Sequence, residues 1–210
     1  MVYGLVLLGI SSACCVVLYR SGLIVKSVAK RTLYFKRNGS TKHGILVLGG
    51  EIERELYLIE YLNGNHSVDY TCVCISSGWF NEGSEELKSI QRKRSIVFDR
   101  KAIDTVSNAT CLVDWFQKNE ITHLTVITSE GHHLRAYVVC KVVFGMRGIV
   151  CELVDVPNAR FTQRGTISMP KESIWKVVRD AMRSIMWILF GIDGRSISAL
   201  FHPNRITFSS

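Results

Sequence analysis

The sequence predicts an α/β protein in which a mostly parallel sheet of about five strands lies between two layers of helices, behind an N-terminal membrane-spanning helix. Three observations carry that expectation. From residue 45 onward, short β-branched apolar runs alternate with amphipathic stretches, the pattern of successive strand-helix-strand units. Most of the strand runs are continuously apolar, which fits strands covered on both faces. The first 19 residues contain no charged side chain.

That first segment would span about 28 Å as a helix, close to the roughly 30 Å hydrocarbon core of a bilayer. No basic residues precede it and no small-x-small cleavage site follows it, so the sequence favours a retained anchor over a cleaved signal peptide. The anchor is assigned to residues 1–25 and a basic linker to residues 26–43, which holds Lys26, Lys30, Arg31, Lys36, Arg37 and Lys42. With the nearby positive charge on that side, the expected product is a single-pass plasma-membrane protein whose soluble body is cytoplasmic.

Residues 44–160 form the expected soluble domain. Its strands are predicted at 45–48, 70–76, 95–98, 124–128 and 149–154, and its helices at 52–62, 85–91, 105–118 and 132–144. Within 105–118, Val106, Ala109, Val113 and Phe116 recur at three- and four-residue steps, and Trp115 widens the apolar face. This alternation predicts a three-layer sandwich of helices on both faces of a mostly parallel sheet. The remainder, residues 161–210, is read as a C-terminal amphipathic helix and tail. In its stretch 172–190, Ile174, Val177, Val178, Ala181, Ile185 and Leu189 lie on one side and Lys176, Arg179 and Arg183 on another, with Trp175 and Trp187 near the ends. Such a helix either rests on an acidic membrane surface or packs on the sheet.

The formal charge of +8 does not indicate nucleic acid, because the basic residues cluster beside apolar segments. The middle of the chain holds neither basic residues interleaved with aromatics nor a helix-turn-helix or zinc-finger pattern. Membrane is the expected partner, and the sequence names no protein partner. The seven cysteines, Cys14, Cys15, Cys72, Cys74, Cys111, Cys140 and Cys151, fall mostly in apolar runs, read as small buried hydrophobes, and fit a reducing compartment. No metal site is expected, since Cys72 and Cys74 have no second pair to converge with. There is no Walker loop, serine elbow or spaced Gly-x-Gly-x-x-Gly, so no cofactor or reaction class is named.

In an open parallel sheet, ligands sit beyond the carboxyl ends of the strands, where loops enter helix N-termini. The first strand ends in Gly49-Gly50, whose amides can approach an anion, with Arg54 one turn into the next helix. Ser77 and Gly78 follow the second strand. Thr105 and Asn108 open the third helix, with Asp104 or Thr105 able to act as its N-cap. The fourth strand runs into the densest polar cluster, Thr128, Ser129, His132, His133 and Arg135. Thr128 and Ser129 can cap the following helix, and His132 and Arg135, three apart, share a helical face. The arginine and the helix N-terminus both disfavour a second positive charge on His132, which makes it the candidate for proton transfer. His133 points elsewhere, toward the surface.

The landmarks Val47-Leu48-Gly49-Gly50 with Arg54, Ser77-Gly78, Thr105-x-x-Asn108-Ala109 and Thr128-Ser129-x-x-His132-x-x-Arg135-Ala136 occur in fixed order. In that order the chain resembles the ElyC/SanA/YdcF family of bacterial envelope-associated proteins, over roughly residues 44–154. The resemblance implies a Rossmann-like domain, N-terminal membrane segments and a link to cell-wall and envelope polysaccharide processes, without an established reaction. Glu51, Glu53 and the short region between Gly78 and Asp99 depart from the family's pattern. The tail 175–191 is similar to that of cyanobacterial members, in which an arginine-rich amphipathic stretch ends in glycine. The expected function is binding of a small anionic ligand, phosphate-bearing or nucleotide-like, in envelope biogenesis. A non-catalytic adaptor or sensor at the membrane is the alternative.

Overall fold

The computed structural model describes residues 41–64, 69–76, 79–80, 85–91, 95–158 and 172–191. The proposed anchor and most of the linker lie outside the described residues, as do Ser77 and Gly78. Among the described residues no helix is long and apolar enough to cross a membrane.

Five strands, β1 (His43–Val47), β2 (Tyr70–Ser76), β3 (Ser95–Asp99), β4 (His123–Ser129) and β5 (Val150–Val156), form one sheet in the order β3-β2-β1-β4-β5. Every neighbouring pair is parallel. This is the α/β sandwich expected from the alternation of elements. The helices are α1 (Ile52–Asn63), α2 (Glu85–Gln91), α3 (Thr105–Thr110), α4 (Val113–Lys118), α5 (His133–Val143) and α6 (Ile174–Phe190), and a 3-10 turn (Glu130–His132) leads into α5.

Strand pleating divides the apolar residues between two cores. On one face Leu46, Leu48, Cys72, Cys74, Leu124 and Val126 meet Val106 and Ala109 of α3, Val113 and Phe116 of α4, and Val139 and Val143 of α5. On the other face Ile45, Val47, Val73, Ile75 and Ile127 meet Leu58 of α1 and Leu87 and Ile90 of α2. Both faces of the central strands are therefore dry, which is why these runs do not alternate in polarity.

The expected single helix over 105–118 is in fact two. At Leu112 the backbone N–H bonds back three residues, to the Ala109 carbonyl at 3.3 Å, so the helical ladder slips. The slip turns both Leu112 and Val113 into the core. Four of the five described cysteines, Cys72, Cys74, Cys140 and Cys151, are buried, all five are unbridged, and burial pushes the Cys151 thiol up to about 12. They behave as the small hydrophobes the sequence suggested.

The C-terminal helix, assigned by sequence to a separate segment, packs on α5 and α3. It buries Val177, Asp180, Ser184 and Ile188. Its opposite side stays exposed.

Candidate functional site

In this strand order the chain reverses direction between β1 and β4, which opens a crevice at their carboxyl ends. A cavity of about 440 Å³ lies there, within the roughly 300–1,000 Å³ of small-molecule sites. Gly49, Gly50, Arg54, Thr105, Asn108, Thr128, His132 and Arg135 all line it, so the connections after β1, β3 and β4 meet in space. Ser129 lies behind this wall, fully buried.

The floor is the turn after β1. Gly50 has φ of +113°, a conformation only glycine adopts without strain, and it carries the chain sharply into α1. Arg54 pins this turn from within. Its Nη1 donates to the carbonyls of Leu48 (3.0 Å) and Gly49 (2.7 Å), its Nε donates to Ser129 Oγ (2.8 Å), and its Nη2 lies 2.9 Å from Glu51. The guanidinium is 4% exposed, and nearly all its donors are committed inside the protein. It shapes the Gly49-Gly50 turn, and little of it is left to hold a ligand.

Ser129 takes a different place from the helix cap expected of it. It starts the 3-10 turn without a side-chain cap, and its hydroxyl instead joins Arg54 to Glu51. Thr128 Oγ1 does not cap either: it is buried at the cavity wall with no hydrogen-bond partner among the described residues. Asp104, by contrast, is the N-cap of α3. It accepts from Ser107 N (2.9 Å), while Ser107 Oγ accepts from Asp104 N (2.9 Å), a reciprocal capping box. Asn108, one turn into α3, accepts from Ser76 Oγ at 3.0 Å and is thereby fixed against the end of β2.

His132 and Arg135 share a face as their spacing required, but their surroundings were not foreseen. Glu172, just ahead of α6, sits between them, its Oε1 2.8 Å from His132 Nδ1 and 3.1 Å from Arg135 Nη1. Glu51 Oε1 lies 3.7 Å from the other ring nitrogen. The imidazole expected among cations thus faces a carboxylate on each side. Burial pushes the Glu51 carboxyl up, but the facing His132, Arg54 and Ser129 outweigh it and hold it below the usual range. A histidine oriented between two carboxylates suits proton transfer to or from a group in the cavity.

The remaining wall comes from α6. Asp180, 1% exposed, accepts from Arg179 Nε (2.9 Å) and Arg183 Nη1 (3.4 Å), with Arg135 Nε at 3.7 Å. Arg183 Nη2 also donates to Asp104 Oδ2 at 2.7 Å, tying α6 to the start of α3. Burial raises Asp104, but Ser107 and Arg183 more than compensate and its carboxyl lies below its ordinary value. Glu172, Lys176, Arg179 and Asp180 were missed as site residues, although their spacing keeps them to one side of the helix and the two acids stand out in a basic stretch.

The cavity lining therefore combines Arg54, Arg135, Lys176 and Arg179 with Glu51, Asp104, Glu172 and Asp180. Four buried polar atoms around it, Thr128 Oγ1, His132 Nδ1, Arg135 Nε and Glu172 Oε2, lack hydrogen-bond partners among the described residues, although Glu172 Oε1 lies 2.8 Å from that imidazole nitrogen. His133, as expected, lies at the surface, half-exposed and 2.7 Å from Asp155 Oδ2. The described residues contain no cluster of histidine, cysteine and carboxylates fit to hold a metal ion. No family model, curated protein or solved structure matches this chain.

Proposed function

We propose that this cavity binds a small phosphate-bearing anion that also carries hydroxyl groups, such as a sugar phosphate or nucleotide. The domain would do so as a membrane-anchored protein of the ElyC/SanA/YdcF type, cytoplasmic in orientation and serving cell-wall and envelope polysaccharide biogenesis. The supporting observation is the meeting of three features at one sheet edge: the Gly49-Gly50 turn at the α1 N-terminus, the α3 N-terminus, and the cations Arg135 and Lys176. Helix N-termini present amides and positive dipole to an anion. Four carboxylates in the same lining make a poor trap for a bare anion, but they are good acceptors for hydroxyls. A ligand with both groups uses both halves of the wall.

In this reading Lys176, Arg135 and the Gly49-Gly50 amides receive the phosphate. Thr105, Asn108 and Thr128 orient the ligand, and His132 moves the proton. Mass spectrometry of small molecules retained by the purified full-length chain tests it. Wild type should release a phosphate-bearing compound that Arg135→Ala and Lys176→Glu together fail to retain; recovery of only neutral or cationic compounds would refute it.

One observation favours a second reading, a ligand-binding adaptor without turnover. Arg54 and Arg135 are already paired with carboxylates, and both His132 nitrogens face them, so ligand entry rearranges ion pairs that reach α6. Under this reading His132→Ala lowers affinity and no product forms. Under the enzymatic reading it abolishes turnover and spares binding.

A further inference from the structure

Helix α6 has two working faces, and the cavity accounts for one. Val177, Asp180, Ser184 and Ile188 turn inward. On the other side Trp175, Val178, Met182, Ile185 and Met186 recur at helical steps and are all exposed, Trp175 to 77%. Ile174 and Phe190 extend this stripe to both ends of the helix. Scattered apolar residues on a surface need no explanation, but a continuous stripe along 17 residues does.

The charge beside the stripe indicates what covers it. Lys176 and Arg179, both exposed, run along one edge between the apolar and packed faces. The one acidic residue of the helix, Asp180, is buried against the domain, so the outward side carries no negative charge. An apolar protein groove would match the stripe but not Lys176 and the exposed part of Arg179, whose Nε alone is held by Asp180. The headgroup layer of an anionic bilayer matches both: acyl chains receive the apolar side chains, phosphates meet the basic edge, and tryptophan is stable at the boundary.

We propose that the outward face of α6 lies in the headgroup layer of an anionic membrane, with Trp175, Met182 and Met186 inserted and Arg179 at the lipid phosphates. The helix then joins the ligand cavity on one side to the lipid surface on the other. This inference does not depend on which ligand the cavity takes.

The test is depth-dependent fluorescence quenching in the full-length chain, reconstituted into phosphatidylcholine vesicles containing brominated lipid, with or without phosphatidylserine. Brominated lipid should quench part of the tryptophan emission, more so with phosphatidylserine, and Trp175→Phe should remove that part. The double variant Met182→Glu with Ile185→Glu, altered only at exposed positions, should keep its circular dichroism and stay with the vesicles while Trp175 loses its quenching. Equal quenching in wild type and Trp175→Phe overturns the proposal. So does a Trp175 shielded from lipid and from aqueous iodide alike, because the stripe is then covered by protein, either another segment of this chain or a second copy.

Discussion

Asp180→Ala is the sharpest probe of how α6 is fastened across the cavity. The carboxylate is buried and faces three cations, which do not count equally. Arg179 is 58% exposed, so its pair with Asp180 is worth no more than about 1 kcal/mol. Arg135 and Arg183 are 16% and 21% exposed, and removing a carboxylate from cations so enclosed costs about 3–5 kcal/mol when nothing else compensates. Here each keeps another carboxylate, Glu172 for Arg135 and Asp104 for Arg183, which brings the expected loss down to about 2–3 kcal/mol. For a chain of this size that lowers Tm by about 4–12 °C. Thermal unfolding followed by circular dichroism in mild detergent measures it, with Arg179→Ala as the control that removes only the exposed partner. Should the two variants melt together, Asp180 does not hold α6 through its buried pairs.

Two further substitutions test the cavity floor and the α3 cap. Gly50→Ala places a Cβ where no atom lies within 4 Å, so any loss comes from its positive φ and should reach about 1–3 kcal/mol, measured by urea unfolding. Gly145→Ala also meets open space and has no positive φ, so it should be near neutral; equal losses at both sites refute the strain argument. Asp104 has its carboxyl lowered in the folded state, so its stabilising contribution is present above the unfolded value near about 4 and disappears as pH falls through the folded value. Asp104→Asn keeps the cap and loses the charge facing Arg183, so it should cost roughly 1–2 kcal/mol at neutral pH and flatten the acid limb of the stability curve. An acid limb as steep as wild type would show that another carboxylate governs it.

The sheet was legible because its determinants are local in sequence. The runs that became β2 and α2 have the bounds their apolar pattern indicated, while β1 spans His43–Val47 instead of 45–48, β3 gains one residue, β4 gains one at each end, and β5 starts one residue later and continues to Val156. The break between α3 and α4 was not legible. Val106, Ala109, Val113 and Phe116 keep a helical period through it, and only packing decides that Leu112 and Val113 both turn inward. The Asp104 cap was legible as one of two alternatives, and the capping box with Ser107 selects between them.

The cavity residues on the strand-to-helix turns were legible, those from α6 and the electrostatics were not, and the two arginines show why. Arg54 and Arg135 have the same chemistry and both sit one turn inside a helix that follows a strand, so a linear reading assigns both to an anion. Arg54 meets acceptors supplied mainly by its own turn, Leu48, Gly49 and Glu51, and it is held so completely that any ligand group taking its donors would have to unmake the floor of the cavity. Arg135 meets Glu172, delivered by a helix that no local pattern brings near it. That carboxylate keeps one buried oxygen, and the guanidinium its Nε, without a hydrogen-bond partner among the described residues, with Asp180 Oδ2 3.7 Å from that Nε. Under the proposed anion-binding reading, an incoming anion would compete with Glu172 for Arg135, whereas displacing Glu51 from Arg54 would release the Gly49-Gly50 turn. In that reading the adjustable part of the cavity is the contact between α5 and the start of α6, and a ligand would be selected by whether it can replace Glu172 there.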